Sequence, residues 1–519
     1  MEGVLSLVEN SNINILQNIG LVGGAAIAIS LLAIAYPDRP VFTGIRSGIV
    51  YRAGAPIIGH LLELLKNKFQ IHDFEIDFFQ EIGTLTGAMP SLGLPFSIAT
   101  IDPQNIEYIL KTNFTNYVKG PHFGYATEHL LGHGIFNADG EQWRWQRKVA
   151  SHIFNVKNFR DQFTDVFVSK IDTMCESIFD KSIEEDLPID FHDAMFRFTL
   201  DSFILLGFGV DLKALTTQGE VPFAVSFDKS QQYSFDRFTN PFIGITNTFR
   251  SIFRPWEKSI QQHVQTIDDF ASNVINQRRE ELARGEMPTD LLSRFMGAKN
   301  ENGKDLSKTE LRDIVLNFII AGRDTTAQAL SWTFYNLALH PRVEEKLLRE
   351  INEKIGNEKE HDAQQLYEIV KTMTYAHAVF HETLRLYPSV PENQKYALED
   401  DIWPDGTPVC KGDYVGWSPY AQARSTAVWG PDASCFNPER WITPEGELRR
   451  ESQGQWPVFH GGPRVCLGQN LATLEALIAI AFLLKRYRLS LLPGQVITYQ
   501  TSLTLPMKNG MLVRVSKRQ

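Results

Sequence analysis

The sequence predicts a mainly α-helical fold with small β-sheets, preceded by one N-terminal transmembrane helix. Helical periodicity dominates the middle of the chain, from residue 160 to about residue 300. A capping-box pattern at Ser307 opens another long helical pattern, which continues to about Leu339. Strand-like patterns are confined to short pieces near residues 95–99 and to an alternating tail at residues 501–515.

The N-terminal segment is almost wholly apolar from Ile19 to Tyr36, which is about the length that spans a bilayer. The alternative is a cleaved signal peptide, but no basic residue precedes the segment and no clear small-residue cleavage site follows it. Because the basic residues follow it, the positive-inside rule predicts a retained single-pass anchor with the rest of the protein in the cytosol. We expect residues 1–36 to form the lumenal tip and anchor, residues 37–58 a proline-containing linker, and residues 59–519 the folded domain.

The first part of this domain is predicted to be helical and amphipathic. Residues 59–83 are expected to form one helix, with Leu61, Leu62, Leu65 and Phe69 on one face.

Composition excludes several classes of function. The net charge of −10 argues against a basic surface for nucleic acid. The four cysteines contain no C-x-x-C pair, so a disulfide framework and a zinc site of paired cysteines are both disfavoured, and the pattern fits a reducing compartment.

One short stretch, Phe459–Gly468, presents the single cysteine Cys466 in a glycine-rich turn that leads into a helical pattern near Gln469. Glycines permit tight turns that bring amide N–H groups toward a sulfur atom. The positive end of the following helix favours thiolate over thiol, and a lone thiolate suits an axial ligand to haem iron. Most lone cysteines are inert buried residues, but here the whole pattern F-x-x-G-x-R-x-C-x-G is present.

This pattern resembles the haem-binding signature of the cytochromes P-450, the haem-thiolate monooxygenases. The resemblance implies the cytochrome P-450 fold and haem b, with Cys466 as the ligand of the iron. It also implies that Arg464 pairs with a haem propionate, that Gly462 and Gly468 shape the backbone, and that Phe459 shields the sulfur.

A second signature lies between residues 139 and 147. Asp139 and Gln142 form a capping-box pattern, which places Trp143 and Arg147 one turn apart on a helix face. One interpretation is that these two side chains bind the haem propionates, which accept hydrogen bonds from an arginine guanidinium and an indole N–H. The alternative is that they form a cation–π pair on the protein surface. The family carries tryptophan and arginine at this spacing, so the resemblance favours haem binding.

The middle of the Ser307–Leu339 pattern contains Ala-Gly-Arg-Asp-Thr-Thr at residues 321–326. Glycine beside hydroxyl residues weakens a helix and opens space. The stretch matches the oxygen-activating helix of the family, which implies that Asp324 relays protons and that Thr325 delivers them. Some animal relatives attach haem through a glutamate at the position of Ala321, so this alanine predicts non-covalent haem.

Glu382 and Arg385 lie at positions i and i+3 within a strongly apolar stretch, so burial of this ion pair is plausible and would require a further hydrogen-bonding partner. The alternative is a solvated surface pair of little energetic worth. The family closes such a pair into a triad, which identifies Arg440 as the third member and gives all three a structural role. Lys395 falls where many relatives place a basic partner for a propionate.

The five signatures occur in the family's order and span about three quarters of the chain. Residues 318–326 and 134–143 look most like microsomal fatty-acid and alkane ω-hydroxylases of fungi and plants. The resemblance therefore implies a monooxygenase that inserts one oxygen atom from O2 into an unactivated C–H bond near the terminal carbon, at the endoplasmic reticulum membrane. An aromatic run at residues 223–253 fits the roof of a channel for a lipophilic substrate.

The chain has no flavin or nicotinamide fingerprint, so its electrons are expected from an NADPH-dependent flavoprotein reductase, with a cytochrome b-type protein as a further donor. Three alternatives remain open at this point. The substrate could be a sterol, an aromatic compound or a xenobiotic; the protein could be a non-oxygenating haem-thiolate isomerase; or it could be a haem-binding sensor. Neither the isomerase nor the sensor explains why the Asp324–Thr325 pair is present.

Overall fold

The computed structural model describes residues 21–152, 162–288, 290–300 and 303–518, and these residues form mainly α-helices with small β-sheets. The α-helices are α1 (residues 21–35), α2 (Leu61–Asn67), α3 (Ile71–Ile82), α4 (Pro103–Glu107), α5 (Gly120–Leu131), α6 (Gly140–Ser151), α7 (Thr164–Met174), α8 (Lys181–Glu185), α9 (Phe191–Phe208), α10 (Pro222–Thr239), α11 (Ile243–Phe253), α12 (Ile260–Ala283), α13 (Leu291–Met296), α14 (Lys308–Ile319), α15 (Thr325–Leu339), α16 (Pro341–Ile355), α17 (Ala363–Lys371), α18 (Thr374–Leu386), α19 (Pro419–Arg424), α20 (Thr426–Trp429) and α21 (Gln469–Arg486). Turns of π-helix lie at Tyr108–Thr112, Cys175–Asp180 and Ile320–Asp324.

The strands are short and form three sheets. They are β1 (Thr86–Ala88), β2 (Ser97–Thr100), β3 (Tyr117–Val118), β4 (Ile189–Asp190), β5 (Asn393–Ala397), β6 (Asp401–Ile402), β7 (Pro408–Val409), β8 (Tyr414–Trp417), β9 (Tyr487–Leu491) and β10 (Leu512–Lys517). The largest sheet has the order β1-β2-β8-β5-β3, in which only β2 and β8 are parallel. The others have the orders β4-β10-β9 and β6-β7.

The N-terminal anchor lies partly outside the described residues. Helix α1 begins at residue 21 and exposes apolar side chains, among them Leu21, Ile27 and Ile34. Within the part of the chain that the structure describes, no helix combines the length and apolar character needed to cross a membrane. The mainly α-helical fold with small sheets is confirmed, and the transmembrane helix stays a prediction.

The single helix predicted for residues 59–83 is wrong. Non-helical torsions at Gln70 separate α2 from α3. The predicted apolar face divides there as well, since Leu61 is buried while Leu62 and Phe69 are exposed. The break reorients α3, which buries Phe78 and His72 in the interior.

The tail at residues 501–515, whose alternating pattern is typical of a hairpin, does not form one continuous hairpin. Residues 499 to 507 fold back on themselves, with a bridge between Tyr499 and Met507. The later alternating residues belong to β10, which pairs with β4 and β9 rather than with the preceding part of the tail. Leu505, at the end of the fold-back, is fully buried.

Helices α14 and α15 form one rod through the centre of the molecule and pack against α9, α18 and α21. The predicted capping box starts this rod: the Glu310 N–H donates to the Ser307 hydroxyl (3.2 Å), and the Ser307 N–H donates to the Glu310 carboxylate (2.8 Å). The π-turn Ile320–Asp324 interrupts it where the sequence predicts a weakened helix. A Cβ at Gly322 would lie 1.9 Å from the Phe203 ring, so glycine permits α9 to approach the turn this closely.

Candidate active site

The Cys466 loop is closed by backbone contacts. The Cys466 N–H donates to the Phe459 carbonyl (2.9 Å). Gly462 has φ +58°, and a Cβ there would lie 2.0 Å from the Leu110 carbonyl oxygen, so this position requires glycine. Gly468 differs, because its φ of −88° is open to any residue. Of the two glycines expected to shape the backbone, Gly462 is thus the one whose torsion and close packing require glycine, and the role of Gly468 stays a prediction.

The sulfur of Cys466 accepts hydrogen bonds from the N–H groups of Gly468 and Gln469 at the start of α21, as the sequence predicts. These bonds and the charge of Arg147 lower the pKa of the thiol, but burial has the larger effect and raises the pKa above its usual value. The Cys466 side chain is nevertheless solvent-accessible. The expected preference for thiolate thus requires a bound metal ion as well as the helix N-terminus.

Trp143 and Arg147 lie on α6 as predicted. Trp143 is buried, and Arg147 donates to the Val465 carbonyl in the cysteine loop (2.7 Å). The guanidinium of Arg464 lies 4.5 Å from the centre of the Trp143 ring. The capping box predicted at Asp139 is wrong, because the Asp139 carboxylate accepts from Arg464 (2.6 Å) and from the Lys119 N–H (3.0 Å) instead.

Five cationic or basic side chains meet beside this loop: Lys119, Arg147, Lys395, His460 and Arg464. Burial and the neighbouring positive charges lower the pKa of Lys119 to about 7 and that of Lys395 well below its usual value. The Nζ of Lys395 is buried and has no hydrogen-bond partner among the described residues. Asp139 is the one carboxylate that these pKa shifts identify as a counter-charge in the cluster.

A haem group fits this arrangement. Its two propionates would supply the negative charge that the buried cations need, and Cys466 would ligate its iron. The sequence identified Arg147, Lys395 and Arg464 but not Lys119 or His460. No spacing rule connects Lys119 to the loop, and His460 occupies a position that the F-x-x-G-x-R-x-C-x-G pattern leaves open. We propose that all five basic residues, with the Trp143 indole, hold the haem.

Replacing Lys395 with methionine is expected to change two properties in opposite directions. The haem-free protein should become more stable, since an unpaired buried charge is removed. The holoenzyme should release haem faster by about tenfold, which corresponds to about 1.4 kcal/mol. Thermal unfolding of the haem-free form and transfer of haem to a scavenger protein measure these effects. Lys411→Met, on the exposed side of the same region, is the control, and equal release rates would contradict the assignment.

Asp324 is fully buried in the π-turn of the central rod. Its carboxylate accepts from Arg323 (2.7 Å) and from Gln231, while Arg323 also pairs with the half-exposed Asp228 (2.7 Å). Burial raises the pKa of Asp324 to about 6, against the opposing effect of Arg323. A carboxyl group that titrates near this pH can take up and release protons at neutral pH. Through Arg323 and Asp228 it is connected to the protein surface.

Thr325 follows Asp324, and its hydroxyl donates to the Ala321 carbonyl (2.7 Å). Two hydroxyl groups from other parts of the chain donate to backbone carbonyls at this turn. The Thr199 hydroxyl donates to the Arg323 carbonyl and the Ser389 hydroxyl to the Thr325 carbonyl, each at 2.8 Å. These contacts hold the widened turn in place. Ala321 carries no group that could form an ester with haem.

Glu382 and Arg385 form a fully buried, bidentate ion pair with both N–O distances at 2.8 Å. The expected third member, Arg440, lies 3.6 Å from Glu382 but pairs more closely with Asp432 (2.8 Å). The Glu382 carboxylate also accepts hydrogen bonds from the Trp441 indole and the Asn437 backbone N–H, each at 2.9 Å. The triad is therefore present, but Arg440 is its weakest member.

Comparison with known proteins agrees with this site. The family model described as Cytochrome P450 matches residues 52–514. The chain belongs to the cytochrome P450 family. It is 38% identical to Cytochrome P450 86B1 of Arabidopsis thaliana over 434 residues, which cover 81% of this chain and 77% of the relative. It is 36% identical over 534 aligned residues to Cytochrome P450 704C1 of Pinus taeda, with 98% and 99% covered. It is also 35% identical to Cytochrome P450 monooxygenase cyp1 of Mycosarcoma maydis over 486 residues, which cover 90% and 75%.

Membership of the family establishes the chemistry. This cytochrome P450 is a monooxygenase that uses haem b with a cysteine thiolate ligand, takes electrons from a redox partner reductase, and incorporates oxygen from O2 into a lipophilic substrate. When bound, the haem supplies the redox chemistry. The protein's own contribution is to hold that group, exclude water and deliver protons.

Proposed function

We propose that this cytochrome P450 hydroxylates long-chain fatty acids near their terminal carbon, with alkanes as a second substrate class. It would act at the endoplasmic reticulum membrane, with residues 1–36 as tip and anchor, residues 37–58 as linker and residues 59–519 as the catalytic domain in the cytosol. Support comes from the resemblance of the residue 134–143 and 318–326 stretches to fatty-acid and alkane ω-hydroxylases.

One surface pocket carries the substrate assignment. It has a volume of about 580 Å³ and lies between the α2–α3 break, α10, α11 and the tail fold-back. Aromatic and basic side chains line it together with one carboxylate, that of Asp236. The aromatic and basic residues are Phe69, Phe249, Phe253, Lys68, Arg250 and Arg254. Such a mixed lining suits a molecule with a long apolar chain and an anionic end. A sterol or an alkane would offer no anionic group to Lys68, which forms no ion pair among the described residues, whereas Arg250 and Arg254 pair with Glu257.

Helix α11 forms one side of this pocket and exposes apolar side chains. None of its residues is buried, and its exposed side chains include Ile245, Phe249, Ile252 and Phe253. An exposed apolar surface of this kind marks a site of contact with lipid or another apolar partner. The proposed substrate would thus enter from the membrane, with its apolar end first.

Within the active site, we propose that Asp324 relays protons from solvent and that the Thr325 hydroxyl delivers them. Arg323 stays protonated and holds Asp324 in place, and Asp228 marks the side of this network that reaches the surface. Phe459 packs against Trp456 (ring centres 5.7 Å apart) and would shield the cysteine sulfur. Glu382, Arg385 and Arg440 would hold the scaffold behind the loop. The buried position of Asp324 supports this assignment, since a relay works by excluding bulk water.

Lys68 provides the test of substrate class. Arg250 and Arg254 both pair with Glu257, whereas Lys68 forms no ion pair among the described residues. Lys68→Met should weaken the binding of fatty acids by about tenfold, or about 1.4 kcal/mol, and should leave alkane binding within about twofold. Titration of the haem spin state with fatty acids of increasing length, matched alkanes and a sterol measures this. Product analysis by mass spectrometry locates the hydroxyl group.

Lys66→Met is the matched control, because Lys66 lies two residues before Lys68, in the last turn of α2, and is exposed but does not line the pocket. Binding that is insensitive to chain length, or tightest for the sterol, would overturn the fatty-acid assignment. Equal losses for fatty acids and alkanes with Lys68→Met would overturn the role of Lys68.

A further inference from the structure

A cluster of three side chains lies away from the cysteine loop, and in it His72 is buried, Glu75 is half-buried and Glu392 is exposed. His72 and Glu75 are one turn apart on α3, and Glu392 precedes β5. One ligand-type atom from each residue lies within 4.8 Å of the other two. The cluster therefore joins two parts of the chain that are about 320 residues apart in sequence.

His72 is the unusual member of this cluster. It is completely buried, and neither of its ring nitrogens has a hydrogen-bond partner among the described residues. Its ring packs against three aromatic rings, those of Phe235, Tyr420 and Tyr499. A buried imidazole with two unsatisfied nitrogens costs free energy unless a ligand meets one of them.

The two carboxyl groups lack a cationic partner. One oxygen of Glu75 is buried without a hydrogen bond, and no lysine or arginine in the described ranges forms an ion pair with Glu75 or Glu392. The nearby Arg424 donates to the carbonyls of Leu386 and Tyr420 instead. Two carboxylates whose oxygens lie within 4.8 Å of each other repel when both are ionised, and one divalent cation would balance both charges.

We propose that His72, Glu75 and Glu392 form a binding site for one divalent cation of the zinc class, which links α3 to the start of β5. An imidazole nitrogen with two carboxylate oxygens is a donor set typical of zinc, and three protein ligands leave a fourth position for water. Ligand atoms around zinc lie roughly 3.5 Å apart. The proposed site therefore requires the carboxylate side chains to rotate toward the metal from their present spacing of up to 4.8 Å.

The test uses the full-length holoenzyme in lipid nanodiscs. The protein is stripped with a chelator, loaded with Zn²⁺, washed, and analysed for metal content against haem iron. The wild type should retain about one zinc per iron, and its melting temperature should rise by a few degrees with added Zn²⁺. The double variant Glu75→Gln, Glu392→Gln should lose both effects. Asp77→Asn, an exposed acid on α3, should keep them.

Two results would overturn the site. Zinc retention that is equal in the wild type and the double variant would show adventitious binding to surface groups. Absence of retained zinc together with an unchanged melting temperature in the wild type would show that Glu75 and Glu392 share a proton and bind no metal. Because the wild-type measurements stand alone, a double variant that fails to fold leaves the proposal testable.

Discussion

Replacing Cys466 with alanine is expected to abolish hydroxylation, with a loss of at least about a thousandfold in turnover. The thiolate donates electron density that favours cleavage of the O–O bond, and alanine offers no ligand in its place. The reduced protein with carbon monoxide should lack the absorbance band of thiolate ligation. The basic residues around Lys395 stay in place, so the defect should lie in the chemistry rather than in the fold, as circular dichroism would verify.

Cys435→Ala is the matched control for this experiment, because Cys435 is also a free cysteine with an exposed side chain. It should retain full activity and the thiolate absorbance band. If Cys466→Ala kept the band, another residue would have to be the ligand and the position of the active site would be wrong.

The second large effect is on stability. Glu382→Gln should lower the free energy of unfolding by about 3–5 kcal/mol, because it leaves the fully buried charge of Arg385 without its carboxylate partner. The carbonyls of Ala433 and Cys435 still accept from Arg385 (2.7 and 3.1 Å), but they carry no compensating charge. Denaturation of the holoenzyme with guanidinium chloride measures the change.

Helix α17 offers a control with the same spacing. Glu368 and Lys371 also form an i,i+3 ion pair (2.9 Å), but both side chains are more than half exposed. Glu368→Gln should change stability by less than about 0.5 kcal/mol, since solvent screens an exposed pair. Similar losses for the two variants would show that burial is not what makes the Glu382 pair important.

Motifs that are contiguous in sequence were readable before the structure. The turn at residues 459–468 and the weakened helix at residues 321–326 depend on torsions and hydrogen bonds between near neighbours, which local sequence controls. The capping box at Ser307 is an example, because both of its hydrogen bonds span three residues. The matching pattern at Asp139 failed because Arg464, which is 325 residues away, competes for the same carboxylate.

The sequence by itself determined the family, the haem ligand and the order of the signatures, because each of these rests on a short pattern of residues. Only the tertiary structure decided which distant side chains share a site: Lys119 and His460 beside Lys395, Trp441 on Glu382, and Glu392 facing α3. Contacts of this kind depend on how helices and strands pack, and no local pattern in the chain encodes them. The contributions of Lys119 and His460 to the basic cluster and the unsatisfied nitrogens of His72 were therefore visible only in the folded structure.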